Sequence, residues 1–416
     1  MNMKKTAILR ASALILCAVL TLSAFTGCTI VPKISAEDLN KTVTPKKVDA
    51  VPVTDTFSKA LCTLSLDLMK DDANKDVNAL ISPLSIIYAL SMLTNGANGE
   101  TKAQLEKFLT SDVDTLNNEL YSYMRSQSDL KTNPLHIANS VWFKNNGSFA
   151  ANKDFLQKNA DYYGAGIFAS PFDDTTVSDI NNWVKANTNG MIEKIINDLY
   201  PNEVMHIINA IAFESTWENK YFDTNIKDYV FNNADGSKSD VKMLCSEENL
   251  YIENENAKGF IKPYSDGKYA FSALLPNEMT NGEFIKSLDA ASLYALIKNA
   301  DTDKVKVKMP EFSIDFSTDV SQTMKKLGVI DAFDAAKADF SGIANDIFAA
   351  GVSHRTHIEV DRNGTKAAAV TDIPMATKSA EPVETKTVIL DKPFIYMIID
   401  LEYSCPIFIG SLDNIK

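Results

Sequence analysis

The chain has 416 residues, 45% of them hydrophobic, with a formal net charge of −13 and a sequence pI near 4.9. An acidic balance of this size excludes nucleic acid as a partner, because phosphate binding needs clustered Lys and Arg, and it favours solubility. The length allows two or three domains, or one large one.

At the N-terminus Lys4, Lys5 and Arg10 precede an apolar run from Ala11 to Phe25, followed by Thr26-Gly27-Cys28. A positive flank, a short apolar stretch and small residues before a cut site are the parts of a secretory signal over residues 1–27. A cysteine directly after the small residue is similar to the lipobox of bacterial lipoproteins, which makes Cys28 the expected acylation site. Acyl chains would then anchor the protein to a membrane without a spanning helix. The alternative is a plain signal peptide with an incidental cysteine and an extracellular product. Cys17 leaves with the signal. Beyond Cys28, the body holds Cys62, Cys245 and Cys405, an odd number without metal spacing, and buried free thiols are expected. Residues 28–54 carry Pro32, Pro45 and Pro52 without helical or strand period and read as a tether, so the folded body is expected over 55–416.

Phe57, Leu61, Leu64, Leu68 and Met69 recur at helical spacing. Ser82 is a good N-cap, Pro83 suits a first helical turn, and the nearly all-apolar Leu84–Leu93 predicts a buried helix ended at Asn95-Gly96. A short helix follows over Thr101–Leu109. His136–Phe143 alternates like a strand, Ile180–Ile196 reads as a helix ended near Asn189-Gly190, and Met205–Trp217 as an apolar strand. Further strands are predicted over Tyr269–Asn277, around Met309–Ile314, and over Phe394–Leu401 and Pro406–Leu412, with an amphipathic helix before Leu327-Gly328. No internal repeat and no second domain is visible.

Ile358 and Val360 alternate with Glu359 and Asp361, the period of a half-buried strand. Asn363-Gly364 marks a turn where positive φ comes cheaply. Beyond it Thr365, Ala367, Ala369, Thr371, Ile373 and Met375 are small or apolar at every second place, while Lys366 and Asp372 carry charge on the other parity. Alanine is a poor strand former. The segment reads as a loop able to become a strand.

The run from Val352 to Val370, with the block KPFIYMII at Lys392–Ile399, resembles the serpins, inhibitors that trap proteases by inserting a cleaved loop into their own sheet. The likeness extends over the chain after Val51 and includes Asn78–Thr101, His136–Phe143, the Asn209-Ala210…Phe213…Trp217 spacing and Phe340–Ile343. It implies an α+β serpin fold with three β-sheets, eight to nine helices and an exposed reactive-centre loop.

The resemblance also implies roles. Ser82, Ser85, Asn209 and His354 match a hydrogen-bonded cluster that holds the central strands together yet lets them part, since exchanging hydrogen bonds costs less than tearing apolar packing. At the top of the sheet, beside Trp217, the family's acidic hinge residue and its basic partner are exchanged here: Arg362 stands at the acidic place and Glu311 at the basic one. An Arg362–Glu311 ion pair controlling loop insertion is therefore expected. Gly364, Thr365, Lys366, Ala367, Ala368 and Ala369 match the hinge of inhibitory members. Pro374 departs from it, because it removes an amide donor from a strand that would be central.

The family's loop length puts the scissile bond at Lys378-Ser379, which suits trypsin-like serine proteases, with Met375 as a competing bait for elastase- or chymotrypsin-like enzymes. No catalytic set appears: the histidines are His136, His206, His354 and His357, with no GxSxG elbow, no HExxH and no phosphate-binding glycine loop. The expectation is an inhibitor acting as a monomer at a bacterial surface, not an enzyme, with no metal or cofactor. The rival readings are a non-inhibitory serpin cut as a substrate, and a surface hydrolase.

Overall fold

The computed structural model describes residues 34–72, 77–127, 130, 133–145, 151–199, 203–365 and 385–416. β1 (Glu37–Asp38) precedes α1 (Asp55–Asp72), whose Phe57, Leu61, Leu64, Leu68 and Met69 are all buried. β2 (Ala79–Ile81) leads into α2 (Pro83–Thr94), buried at every residue except Ala89. Ser82 caps it: its hydroxyl accepts from the Ser85 amide, and Pro83 fills the first turn without losing a hydrogen bond. α3 (Gly99–Leu109), α4 (Val113–Gln127), β3 (Leu135–Lys144), α5 (Lys153–Tyr163), β4 (Gly166–Ser170) and α6 (Asp174–Asn187) follow.

β5 (Met205–Phe213) and β6 (Ser215–Thr216) are consecutive. Then come β7 (Ile226–Asn232), β8 (Lys238–Glu248), β9 (Leu250–Glu253), β10 (Ala257–Pro263) and β11 (Tyr269–Pro276). Two helices, α7 (Asn281–Ser287) and α8 (Ala290–Lys298), lead to β12 (Val305–Pro310), β13 (Phe312–Asp319) and α9 (Ser321–Lys326). The chain closes through β14 (Ser353–Val360), β15 (Gly364–Thr365), β16 (Lys386–Ile389), β17 (Phe394–Asp400) and β18 (Cys405–Leu412).

The apolar strands build the core. A sheet of order β2-β18-β17-β11-β10-β9 has β11, β17 and β18 buried along their whole lengths, hence their unbroken apolar sequences. A second sheet runs β16-β12-β8-β7. The third runs β1-β4-β3-β5 and the fourth β13-β14-β15-β6. Among the described residues the serpin-like α+β arrangement thus counts four hydrogen-bonded sheets, the expected main sheet being divided in two. β5 and β14 lie side by side, but among the described residues no ladder joins them, so the main sheet falls into two halves. Among the described residues β15 lies antiparallel to β14 on one side and to β6 on the other, and β6 continues the chain from β5, so the halves meet there.

Several expected elements differ in extent. α6 starts at Asp174, because Asp173 forms a capping box with Thr176, and it ends at Asn187; positive φ at Asn189 and Gly190 prevents continuation to Ile196. The stretch Met205–Trp217 breaks at Glu214, whose amide turns aside to the Pro134 carbonyl. The strand around Met309–Ile314 is two strands in two sheets, switching at Glu311. α4, α5 and the strands β7 to β10 were not foreseen.

The tether reading of residues 28–54 is corrected for its second half: the compact unit begins at Ser35. One carboxylate oxygen of Asp179 accepts from the Ser35 amide (2.9 Å), the Ser35 hydroxyl (2.6 Å) and the Ala36 amide (2.8 Å). β1 then covers the free edge of β4. Further on the Val51 amide donates to Ser122 Oγ, and the Thr54 hydroxyl to Glu119 Oε1. Isolated polar contacts of this kind, each to a partner far along the chain, leave no periodic signal. Cys28 lies outside the described residues.

Of the body thiols, Cys62 and Cys405 are buried and Cys245 is half-buried, all three free. Burial pushes the Cys62 thiol up to about 12, which keeps it protonated and inert.

Candidate functional site

α2 enters the body with its N-terminus beneath the line where the two half-sheets meet. The Ser82 amide donates to His354 Nε2 on β14 at 3.0 Å, and the Ser82 hydroxyl donates to the Ile407 carbonyl at 2.9 Å. One turn on, the Ser85 hydroxyl donates to Asn209 Oδ1 on β5. The four residues implied by the resemblance therefore come together, and both half-sheets are tied to the start of α2. Two residues extend the network unforeseen. Asn139 on β3 accepts from the Asn209 amide group, its register partner across the ladder, and Thr356 on β14 donates to the Leu80 carbonyl at 2.7 Å. Asn139 had left a trace: it is an amide inside the apolar alternation of His136–Phe143. Next to the cluster a cavity of about 380 Å³ separates the halves, lined by Ile86, Leu90, Ile208, Ile347, Phe348 and His354 among others.

Burial lowers the His354 pKa to about 4, matching an unprotonated Nε2 that accepts a backbone hydrogen bond. The sign follows directly. Between pH 6.5 and 4 the unfolded chain binds a proton that the folded form refuses, so stability falls with pH across that window and is flat below it. The loss is on the order of 3 kcal/mol. Urea midpoints at pH 7 and 4.5 are expected to differ less in His354→Gln than in the parent; equal differences would dissociate His354 from acid sensitivity.

At the top of the seam Asp361 makes a tight turn. Its carboxylate accepts from the amides of Asn363 (2.6 Å) and Gly364 (3.0 Å), and its own amide donates to the Gly364 carbonyl. Neither Asn363 nor Gly364 has a positive φ, contrary to the expectation for this turn. Glycine is needed for a different reason: a Cβ at Gly364 would stand 2.1 Å from the Ser215 carbonyl oxygen. Thr365 pairs with Val360 and Ser215, is buried, and touches the Tyr264 hydroxyl through Oγ1 at 2.5 Å. Two of the residues expected to form the hinge, Gly364 and Thr365, thus sit between β14 and β6. Lys366, Ala367, Ala368, Ala369, Pro374, Met375, Lys378 and Ser379 lie outside the described residues.

Arg362 Nε stands 3.5 Å from Glu311 Oε1, which also accepts from the Arg362 amide at 3.2 Å. The guanidinium has a second partner the sequence did not indicate, Asp223 Oδ1 at 2.8 Å. With Arg362 about two-fifths exposed, each charge pair is worth roughly 0–1 kcal/mol. The stronger hold on this turn is Trp217, buried: its indole donates to the Asp361 carbonyl at 2.8 Å and its amide to the Asn363 carbonyl at 2.9 Å.

A family model described as serpin (serine protease inhibitor) matches residues 59–415. The chain belongs to the serpin family. The native-state crystal structure of tengpin, a thermophilic serpin, is 43% identical and superposes with a TM-score of 0.86 over 91% of this chain and all of that one. The latent-state structure of the same protein is 42% identical and superposes less well, TM-score 0.76, over 90% and 100%. The chain thus superposes better on the native-state structure of tengpin than on its latent-state one. Leukocyte elastase inhibitor A of Mus musculus is 28% identical over 85% of this chain and 98% of its own.

Proposed function

We propose that this serpin inhibits trypsin-like serine proteases as a suicide substrate. The protease serine Oγ attacks the Lys378 carbonyl carbon, the Ser379 amine leaves with a proton, and an acyl-enzyme ester remains on Lys378. The freed loop then runs between β5 and β14 and carries the tethered protease along, before water can hydrolyse the ester. One observation supports this above all: Gly364 and Thr365 sit between β14 and β6, at the head of a seam where no ladder joins β5 and β14 among the described residues. The direction fits too, since a strand continuing from Thr365 would be antiparallel to both neighbours. Apart from Lys366 and Asp372 on the outward parity, nothing charged lies between Thr365 and Met375. Met375 is the competing bait, and a relative named for elastase inhibition is in keeping with it. Acylation at Cys28 would display the inhibitor, a monomer, on the outer face of a bacterial membrane.

The alternative, a non-inhibitory serpin consumed as substrate, draws on Pro374. One gel separates the two. Incubation with trypsin is expected to yield a complex that survives boiling in SDS; two fragments and no complex would leave only the substrate reading.

A further inference from the structure

A buried cation sits behind the hinge seat. Lys262, on β10, is 1% exposed, and its ammonium donates to Glu248 Oε1 at 2.7 Å and to the Asn219 carbonyl at 3.2 Å. The same nitrogen lies 4.7 Å from the ring centre of Tyr221 and 5.4 Å from that of Trp217. Those two residues hold the turn that seats the loop: Trp217 by its bonds to the Asp361 and Asn363 carbonyls, Tyr221 by its amide on the Arg362 carbonyl at 3.3 Å. The ring closes through Ser246, which donates to Glu248 Oε1 at 2.6 Å and meets the Tyr221 hydroxyl at 3.1 Å. Trp217 also stacks on Tyr264, 4.7 Å between centres and 8° between planes, and Tyr264 reaches Thr365. The three hydrogen bonds that Trp217 and Tyr221 make to the carbonyls of residues 361–363 are thus one step from Lys262, and the Tyr264 contact to Thr365 is two.

A desolvated ammonium is strongly attracted to aromatic faces and costly to leave without partners. Swinging Trp217 or Tyr221 away with the turn takes an aromatic face from that cation and leaves it Glu248 and the Asn219 carbonyl. We propose that Lys262 is a positioning residue that sets how readily residues 361–365 leave their seat, and through this the rate at which the loop enters the sheet. The second half rests on the inhibitory reading above; the first does not.

The variant Lys262→Met with Glu248→Gln removes both charges together, so neither is stranded. Hydrogen–deuterium exchange on the uncleaved protein is expected to accelerate tenfold or more across residues 361–365, with a change in tryptophan emission. The β17 peptide should exchange as in the parent, and Lys262→Arg, which keeps a cation over the rings, should stay within about threefold of it. If the double variant does not fold, Tyr221→Leu, lacking one ring, should show the same local acceleration. Unchanged exchange at 361–365, or a rise shared equally by β17, would overturn the proposal. Local acceleration in a protein whose parent never traps trypsin would uphold the seat and refute the inhibitory reading instead.

Discussion

Cleavage at Lys378-Ser379 is expected to raise the melting temperature by roughly 10–20 °C. Among the described residues of the intact chain no ladder joins the facing edges of β5 and β14, and Gly364 and Thr365 lie between β14 and β6. Once cut, the loop can supply the missing strand. Each inserted residue loses about 1–2 kcal/mol of conformational freedom, but a middle strand bonds on both sides, at roughly 0.5–1.5 kcal/mol net per bond, and buries the small inward residues as well. A gain on the order of 10 kcal/mol moves the midpoint of a chain this size by that interval, since about 2–4 °C per kcal/mol holds for smaller domains and less for larger ones. Differential scanning calorimetry of intact and nicked protein measures it. An unchanged midpoint would mean that no strain is stored in the uncut form, and kinetic trapping could not operate.

On the inhibitory proposal, Thr365→Arg is expected to convert the protein from an inhibitor into a substrate. Thr365 is 1% exposed, flanked by Val360 and Ser215, with its hydroxyl against Tyr264. A guanidinium there must either enter an apolar slot, at a cost of several kcal/mol, or hold the hinge outside the sheet. If about 3 kcal/mol of that cost reaches the insertion barrier, insertion slows on the order of 100-fold. Cutting at Lys378 is far from this change and should proceed at the parent's rate. The measured outcome is therefore a normal rate of trypsin cleavage with less than about a tenth of the boiling-resistant complex. Undiminished complex would show that insertion does not begin at Thr365; Thr365→Ser, which keeps the hydroxyl, serves as the control.

Much of this was legible in the chain. Ser82-Pro83 announced the start of α2 because capping is local: one hydroxyl answers an amide three residues on. The buried strands β17 and β18 were readable since sheets covered on both faces need continuous apolar runs. The cluster residues Ser82, Ser85, Asn209 and His354 came from family likeness; no periodicity would have joined residues so far apart. Asn139 and Lys262 were missed for opposite reasons. Asn139 is a polar residue in an apolar strand and could have been questioned. Lys262 looks like any surface lysine until the aromatic rings around it are known.

By itself the sequence determined the type of the strongly periodic elements, such as α1, α2, β17 and β18, and the two-residue alternation from Thr365 to Met375, because backbone geometry imposes those periods on any chain. Tertiary structure alone decided which strand edges stay unpaired, that Arg362 shares itself between Glu311 and Asp223, and that residues from Ser35 onward belong to the body. Each of these depends on contacts between distant residues, and a single hydrogen bond or ion pair, worth about 1 kcal/mol, imprints no pattern on its neighbours in sequence.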